Sequence, residues 1–250
     1  MSGAVLITGA GTRVGRILAD GLAADGWAVA IHYNRSADSA ESAARNINAA
    51  GGTAATIQAN LFIPDDVNQL IDRAGQALGQ PLTALVNNAS TFEPDSAQTY
   101  TDAMMQYHMQ VNLRAPLNLS RDLAAQIPSD TQGCVINMID NRVLKPNPLY
   151  FTYSLSKASL YWATKTLAQS LAPHVRVNGI GPGPTLRNTA QKDGEFEAEA
   201  AATLLGHGSP PDTLLQAARY LLNASSVTGQ MIAVDGGQHL NWRTPDLTEP

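Results

Sequence analysis

Ala4-Val5-Leu6-Ile7-Thr8-Gly9-Ala10-Gly11-Thr12-Arg13-Val14-Gly15 decides the fold. Ala4 to Thr8 reads as a strand and Val14 to Ala24 as a helix, with Gly9 and Gly11 at the turn between them and Gly15 just inside the helix. Glycines there let the backbone approach a pyrophosphate, and the helix N-terminus offers N–H groups and positive dipole to it. A glycine pattern alone is weak; the strand before and the helix after give it meaning.

The alternation continues outward. Trp27–Tyr33 reads as a strand, Ala37–Ala50 as a helix ended by Gly51-Gly52, and Thr53–Gln58 as a third strand. A helix follows over Asp65–Leu78, with Pro64 before it and Gly79 after it as punctuation. Leu82–Val86 is the fourth strand, about Thr99 to Gln126 a long helical region, and Cys134–Met138 the fifth strand. Tyr153–Leu171 is a helix, Val175–Ile180 a strand, Pro211–Leu222 a helix and Gln230–Val234 the last strand. Strands separated by helices of this length pair in parallel through right-handed crossovers. The pattern predicts one α/β domain over residues 1–250, with a doubly wound seven-stranded parallel sheet flanked by helices. The longest irregular stretch, 181–209, holds Gly-Pro-Gly-Pro and an acidic, Ala-rich patch from Glu195 to Leu205 that suits a small helix. A long loop after a parallel strand is a natural substrate lid.

Composition narrows the function classes. The 250 residues are 44% apolar, enough for a substantial core. A formal net charge of −5 with no basic block argues against nucleic acid as the main partner. No apolar run approaches the ~20 residues of a spanning helix, and no signal peptide is apparent. The single cysteine, Cys134, lies in a predicted buried strand and fits a reducing compartment. A cytoplasmic protein without a membrane partner is expected. His108, His174 and His207 show no metal-ligand spacing, so no metal is assigned.

The end of the second strand bears on the cofactor. An NAD site usually places Asp or Glu about 20 residues past the glycines. Here that region reads His32-Tyr33-Asn34-Arg35-Ser36, without an acid. A guanidinium and a hydroxyl favour an added 2′-phosphate, so NADP(H) is predicted over NAD(H).

Tyr153 and Lys157 are four residues apart, on one face of the predicted helix. An ammonium near the phenol would favour its ionised form, useful because a free Tyr titrates near pH ~10. Asp140 closes the apolar run that begins at Cys134, and would place a carboxyl near that helix.

These residues together resemble the short-chain dehydrogenase/reductase family along nearly the whole chain. Thr8-Gly9 through Gly15 looks like its cofactor turn, and Asn87-Asn88-Ala89 like its Asn-Asn-Ala motif. Tyr153 and Lys157 match its catalytic pair, and Asn112 the helix asparagine that links the lysine to a water chain. Pro182-Gly183 matches the turn beside the nicotinamide, and Asp235-Gly236-Gly237 the closing signature. The resemblance implies a Rossmann fold, a homotetramer packed through the helices at about 99–126 and 153–171, and a cofactor site. That site would comprise Gly9, Arg13, Val14, Tyr33, Asn34, Arg35, Ser36, Asn60, Leu61, Asn88, Ala89, Ser90, Lys157, Pro182, Gly183 and Thr185.

Departures from the general pattern point to a branch. Most members carry Gly at Arg13 and Ser at Asp140, often a Gly after Asn-Asn-Ala, and an acid at Asn60. Arg13, the 32–36 run, Asn88-Ala89-Ser90-Thr91-Phe92 and Asp140 are similar to pteridine and dihydromonapterin reductases. By that resemblance Arg13, Ser90, Phe92, Asp140 and Tyr153 contact a pterin-like substrate. An ionised Asp140 cannot donate to a carbonyl oxygen and would repel a developing alkoxide. A pterin instead carries an amino group and ring N–H groups that suit a carboxylate acceptor. In pteridine reductases a tail residue can reach a neighbouring subunit's site; in the tail 238–250, Arg243 is the candidate. The alternative is an NADPH-dependent carbonyl reductase, for example of 3-oxoacyl thioesters. A non-catalytic NADPH-binding protein is a third reading, opposed by the complete Tyr/Lys/Asn set.

Overall fold

The four residues of β1 (Ala4–Ile7) are fully buried, as an unbroken apolar run is when helices cover both faces of a sheet. The computed structural model describes residues 3–187, 191–242 and 244. In it β1 is joined by β2 (Ala28–Tyr33), β3 (Thr53–Gln58), β4 (Ala84–Asn87), β5 (Gly133–Met138), β6 (Val175–Pro182) and β7 (Met231–Val234). All pairings are parallel, in the order β3-β2-β1-β4-β5-β6-β7.

The period of two along the strands builds two cores. Val5 and Ile7 join Val29 and Ile31 on one face, under α1 (Arg13–Ala24), α2 (Ala37–Ala49) and α9 (Pro211–Asn223). Ala4 and Leu6 join Leu85 and Val135 on the other, against α3 (Pro64–Asn68), α4 (Leu70–Leu78), α6 (Ala115–Gln126) and α7 (Phe151–Leu171). The helix expected over 65–78 is divided at Gln69 into α3 and α4. Asp66 in α3 accepts from the Asn60 N–H at 2.7 Å, which fixes that turn against the end of β3.

The long helical region expected from Thr99 starts later. Thr101 caps α5 (Asp102–Met109) by accepting from the Met104 N–H at 3.2 Å. A wider π turn, Gln110–Arg114, then leads into α6. Such turns often mark functional positions, and Asn112 lies in this one. The acidic patch forms α8 over Glu195–Ala201 only. Among the described residues no helix is long and apolar enough to cross a membrane, and no group of His, Cys, Asp or Glu could hold a metal ion.

Candidate active site

β1 and β4 are neighbours in the sheet but connect in opposite directions, and a crevice opens beyond the C-terminal ends of strands at such a switch point. Here the cavity measures about 640 Å³. Its floor is the glycine turn. Gly9 has φ +66°, and a side chain at Gly15 would overlap the Gly9 carbonyl and the Asn88 amide. Thr8 Oγ1 accepts from the N–H groups of Asn88 and Ala89, each at 2.9 Å. Asn88 Nδ2 donates to the carbonyls of Thr8 (2.8 Å) and Gly9 (3.3 Å). The Asn-Asn-Ala segment is thus a brace for the turn. No side chain caps α1, so its first N–H groups stay available to a ligand.

His32 supports the same turn from below. Its Nδ1 accepts from the Gly9 N–H at 3.0 Å, so Nε2 carries the proton and donates to Ala59 O at 3.1 Å. Burial, ahead of any charge, pushes His32 down to about 4. Arg13 has φ +52°, a left-handed conformation that a glycine adopts freely. Its guanidinium donates to the carbonyls of Arg187 (2.9 Å) and Leu186 (3.3 Å), reaching from the turn to the segment after β6.

Asp140, Tyr153 and Lys157 meet at the end of β5. Tyr153, on the first turn of α7, donates from its hydroxyl to Asp140 Oδ2 at 2.7 Å. Asp140 Oδ1 accepts from the Arg142 N–H at 2.8 Å and so caps the 3₁₀ turn Asn141–Val143. Lys157 donates to Met138 O at 2.8 Å and lies 5.8 Å from the Tyr153 ring centre. Burial pulls Lys157 down to about 8, against the favourable charge of Asp140. Burial, then the charge and hydrogen bond of Asp140, raise the Tyr153 phenol well above its ordinary value. The expected ionising effect of Lys157 on Tyr153 is therefore outweighed in the chain alone: the lysine is aimed at a backbone carbonyl, and the carboxylate at the phenol.

Phe92 stacks on Tyr150 with ring centres 4.1 Å apart and meets Tyr153 edge-on at 4.7 Å. Tyr150 is held at φ +58° at the entry to α7, a conformation that costs ~1–3 kcal/mol for a non-glycine residue. The Arg142 guanidinium reaches within 5.4 Å and 5.5 Å of the two ring centres.

Of the predicted site residues, Gly9, Arg13, Val14, Asn88, Ala89, Ser90, Phe92, Asp140, Tyr153, Lys157, Pro182, Gly183 and Thr185 line this one cavity. Tyr33, Asn34, Arg35 and Ser36, at the end of β2, do not line it; Ser36 Oγ lies 3.0 Å from where a side chain at Gly11 of the glycine turn would begin. Leu61 is packed in the core, and Asn60 turns its Oδ1 to the Phe62 N–H. Asn112 lies behind α7, donating to Thr91 O and Ser156 Oγ, each at 3.0 Å. Arg243 lies outside the described residues. Sequence reading missed Arg142, Tyr150 and Glu199, which also line the cavity; the one signal was the Asp140-Asn141-Arg142 turn.

The short chain dehydrogenase family model matches residues 3–198. A crystal structure described as FolM alternative dihydrofolate reductase 1 from Brucella canis, complexed with NADP, is 43% identical with a TM-score of 0.95. It covers 98% of this chain and 97% of that one. The 3-oxoacyl-[acyl-carrier-protein] reductase FabG of Staphylococcus epidermidis is 28% identical over 246 residues, 96% of this chain and all of that protein. A 3beta-hydroxysteroid dehydrogenase 1 from Eggerthella lenta is 32% identical over 246 residues, 94% of this chain and 93% of that one. The chain belongs to the short chain dehydrogenase family.

Proposed function

We propose that this chain is an NADP(H)-dependent reductase of a pterin-type heterocycle. The observation that carries the reading is the Asp140 carboxylate on the Tyr153 hydroxyl, 2.7 Å away, inside the cavity. A carboxylate at that place suits a substrate that presents N–H groups rather than a carbonyl oxygen. The likeness to the NADP-bound Brucella canis protein supports it.

The residues present fit the dinucleotide. The uncapped start of α1, the positive φ of Gly9 and the side-chain-free approach at Gly15 form a cradle for a pyrophosphate. Ser36, close to Gly11 of that turn, and Arg35 beside it in the chain suit a 2′-phosphate. When bound, the nicotinamide supplies hydride to a ring carbon of the substrate. Tyr153, kept protonated by burial and by Asp140, gives its proton to the adjoining ring nitrogen. Asp140 accepts from the substrate's amino or N–H groups and orients the ring. Phe92 offers a flat face, and such stacking contributes ~0.5–1.5 kcal/mol. Lys157, which reaches from α7 to Met138 O, would hold the nicotinamide ribose with its ammonium. Asn112, through Ser156, ties α7 to the loop that follows β4. Of the stretch 181–209, the described residues 181–187 and 191–209 serve as the lid, and α7 is a tetramer surface; its Leu155 and Trp162 are 40% and 67% exposed in the single chain.

Carbonyl reduction is the second reading, favoured by the FabG likeness. Following NADPH absorbance with dihydrobiopterin, dihydromonapterin, dihydrofolate and an acetoacetyl thioester separates the two. The pterins are expected to turn over faster, and Asp140→Ser to lower pterin reduction more than thioester reduction. Tyr153→Phe should lose ~10²-fold or more with either. A wild type that prefers the thioester, with Asp140→Ser improving it, would replace the pterin reading.

A further inference from the structure

Arg142 follows Asp140 by two residues and grips it at both oxygens. Its backbone N–H donates to Oδ1 at 2.8 Å, and its Nη1 to Oδ2 at 3.2 Å. Oδ2 is the oxygen that also accepts from the Tyr153 hydroxyl. The ion pair is largely withdrawn from water, the two side chains being 24% and 12% exposed. The guanidinium also lies beside the Phe92–Tyr150 stack. A second cavity of about 290 Å³ adjoins the first, and both are lined by Asp140 and Arg142. Arg142 therefore stands where the proton-handling pair, the aromatic wall and both cavities meet.

We propose that Arg142 is a positioning residue of the reaction: it holds the Asp140 carboxyl turned toward Tyr153, and its charge offsets the phenolate left when Tyr153 gives up its proton. This rests on the reading that Asp140 and Tyr153 handle the proton. In that step the Tyr153 O–H bond breaks, a substrate N–H bond forms, the electron pair stays on the phenolate oxygen, and solvent water later returns the proton.

The charges around Asp140 single out Arg142. The charged and titratable groups that line the cavity with Asp140 are Tyr153 and Lys157 of α7, Arg142 of its own turn, Arg13 of α1 and Glu199 of α8. Arg13 is directed at two backbone carbonyls, and Glu199 accepts from Gln191 and Gln238. Among the described residues the ion pair at Asp140 is with Arg142. Lys157 is bound to Met138 O and its charge weakens toward pH 8, whereas a guanidinium stays charged throughout the working range. Arg142 also pulls the phenol downward, against burial and Asp140. Its backbone cap of Asp140 survives any change of side chain, so substitutions isolate the guanidinium.

The experiment measures kcat and KM with NADPH for a dihydropterin and for an acetoacetyl thioester in the wild type, Arg142→Gln and Arg142→Lys, with NADPH affinity and Tm as checks on the fold. Arg142→Gln should lower kcat roughly 10-fold with substrate KM, NADPH affinity and Tm little changed, and Arg142→Lys should recover most of the loss. If Arg142→Gln does not fold, Arg142→Met is read the same way. An unchanged kcat in Arg142→Gln overturns the assignment, as does a Lys variant no better than Gln. The same ordering on the thioester, in a protein inactive on every pterin, leaves Arg142 in its role and removes the pterin reading instead.

Discussion

His32 accepts from Gly9 and donates to Ala59 only while its ring is neutral. Its folded pKa of about 4 lies below the ordinary 6.5. Between those values the unfolded chain binds more protons, so stability is intact above pH 6.5 and falls as the pH drops through 4. The gap corresponds to about 3 kcal/mol when fully expressed. Urea unfolding at pH 7 and pH 4.5 should therefore show a steeper loss in the wild type than in His32→Asn. His108, also lowered by burial, contributes in both proteins and cancels in the difference. Equal losses would mean that His32 is protonated in the folded chain without cost. The neighbouring Arg13 shows a different economy. It keeps a backbone conformation suited to glycine because its guanidinium then spans to the carbonyls of residues 186 and 187.

At the scale of elements, the loop between β4 and α5 is held at two places. Thr91 exchanges bonds with Asn112 in the π turn: its N–H donates to Oδ1 at 2.8 Å, and its carbonyl accepts from Nδ2. Asp95 accepts from the Thr152 N–H at 3.0 Å and from the Thr152 hydroxyl, at the start of α7. Phe92 lies between these anchors and is thereby set against Tyr150 and Tyr153. Asp95→Ala removes one anchor and a cap for α7. It should cost about 1–2 kcal/mol in stability and raise the substrate KM several-fold more than it lowers kcat. A fall in kcat with KM unchanged would mean the anchor serves Tyr153 and not the aromatic wall. This is also where sequence reading stopped. Strand and helix order was legible because each element carries its own apolar run and punctuation, and the resemblance placed Asp140, Tyr153 and Lys157 in one pocket. The Phe92–Tyr150–Arg142 contact joins residues as many as 58 positions apart, and no local pattern encodes it. The weak hold of Lys157 on Tyr153 was hidden for a related reason. A spacing of four predicts a shared face, not which acceptor the ammonium prefers.

On the scale of the whole molecule, the parallel sheet gathers the C-terminal ends of β1, β4, β5 and β6 around one crevice. Residues from the turn after β1 through the segment after β6 contribute to it, so a ligand there bridges both halves of the sheet. A ligand that binds only the folded chain stabilises it by about 2.7 kcal/mol at 100 times its Kd. For a domain of this size that is roughly 5–10 °C in Tm. NADPH should therefore raise the Tm by that order when present at saturating concentration. NADH at the same concentration should raise it much less, because Arg35 and Ser36 replace the acid that would hold a ribose 2′-hydroxyl. Arg35→Asp should narrow or reverse the difference, and since Arg35 is exposed at the end of β2, the Tm of the free protein should hardly change. Equal shifts with both nucleotides in the wild type would show that the crevice does not read the 2′-phosphate. A reversed order would reassign the cofactor to NADH while leaving the proposed roles of Asp140 and Tyr153 untouched.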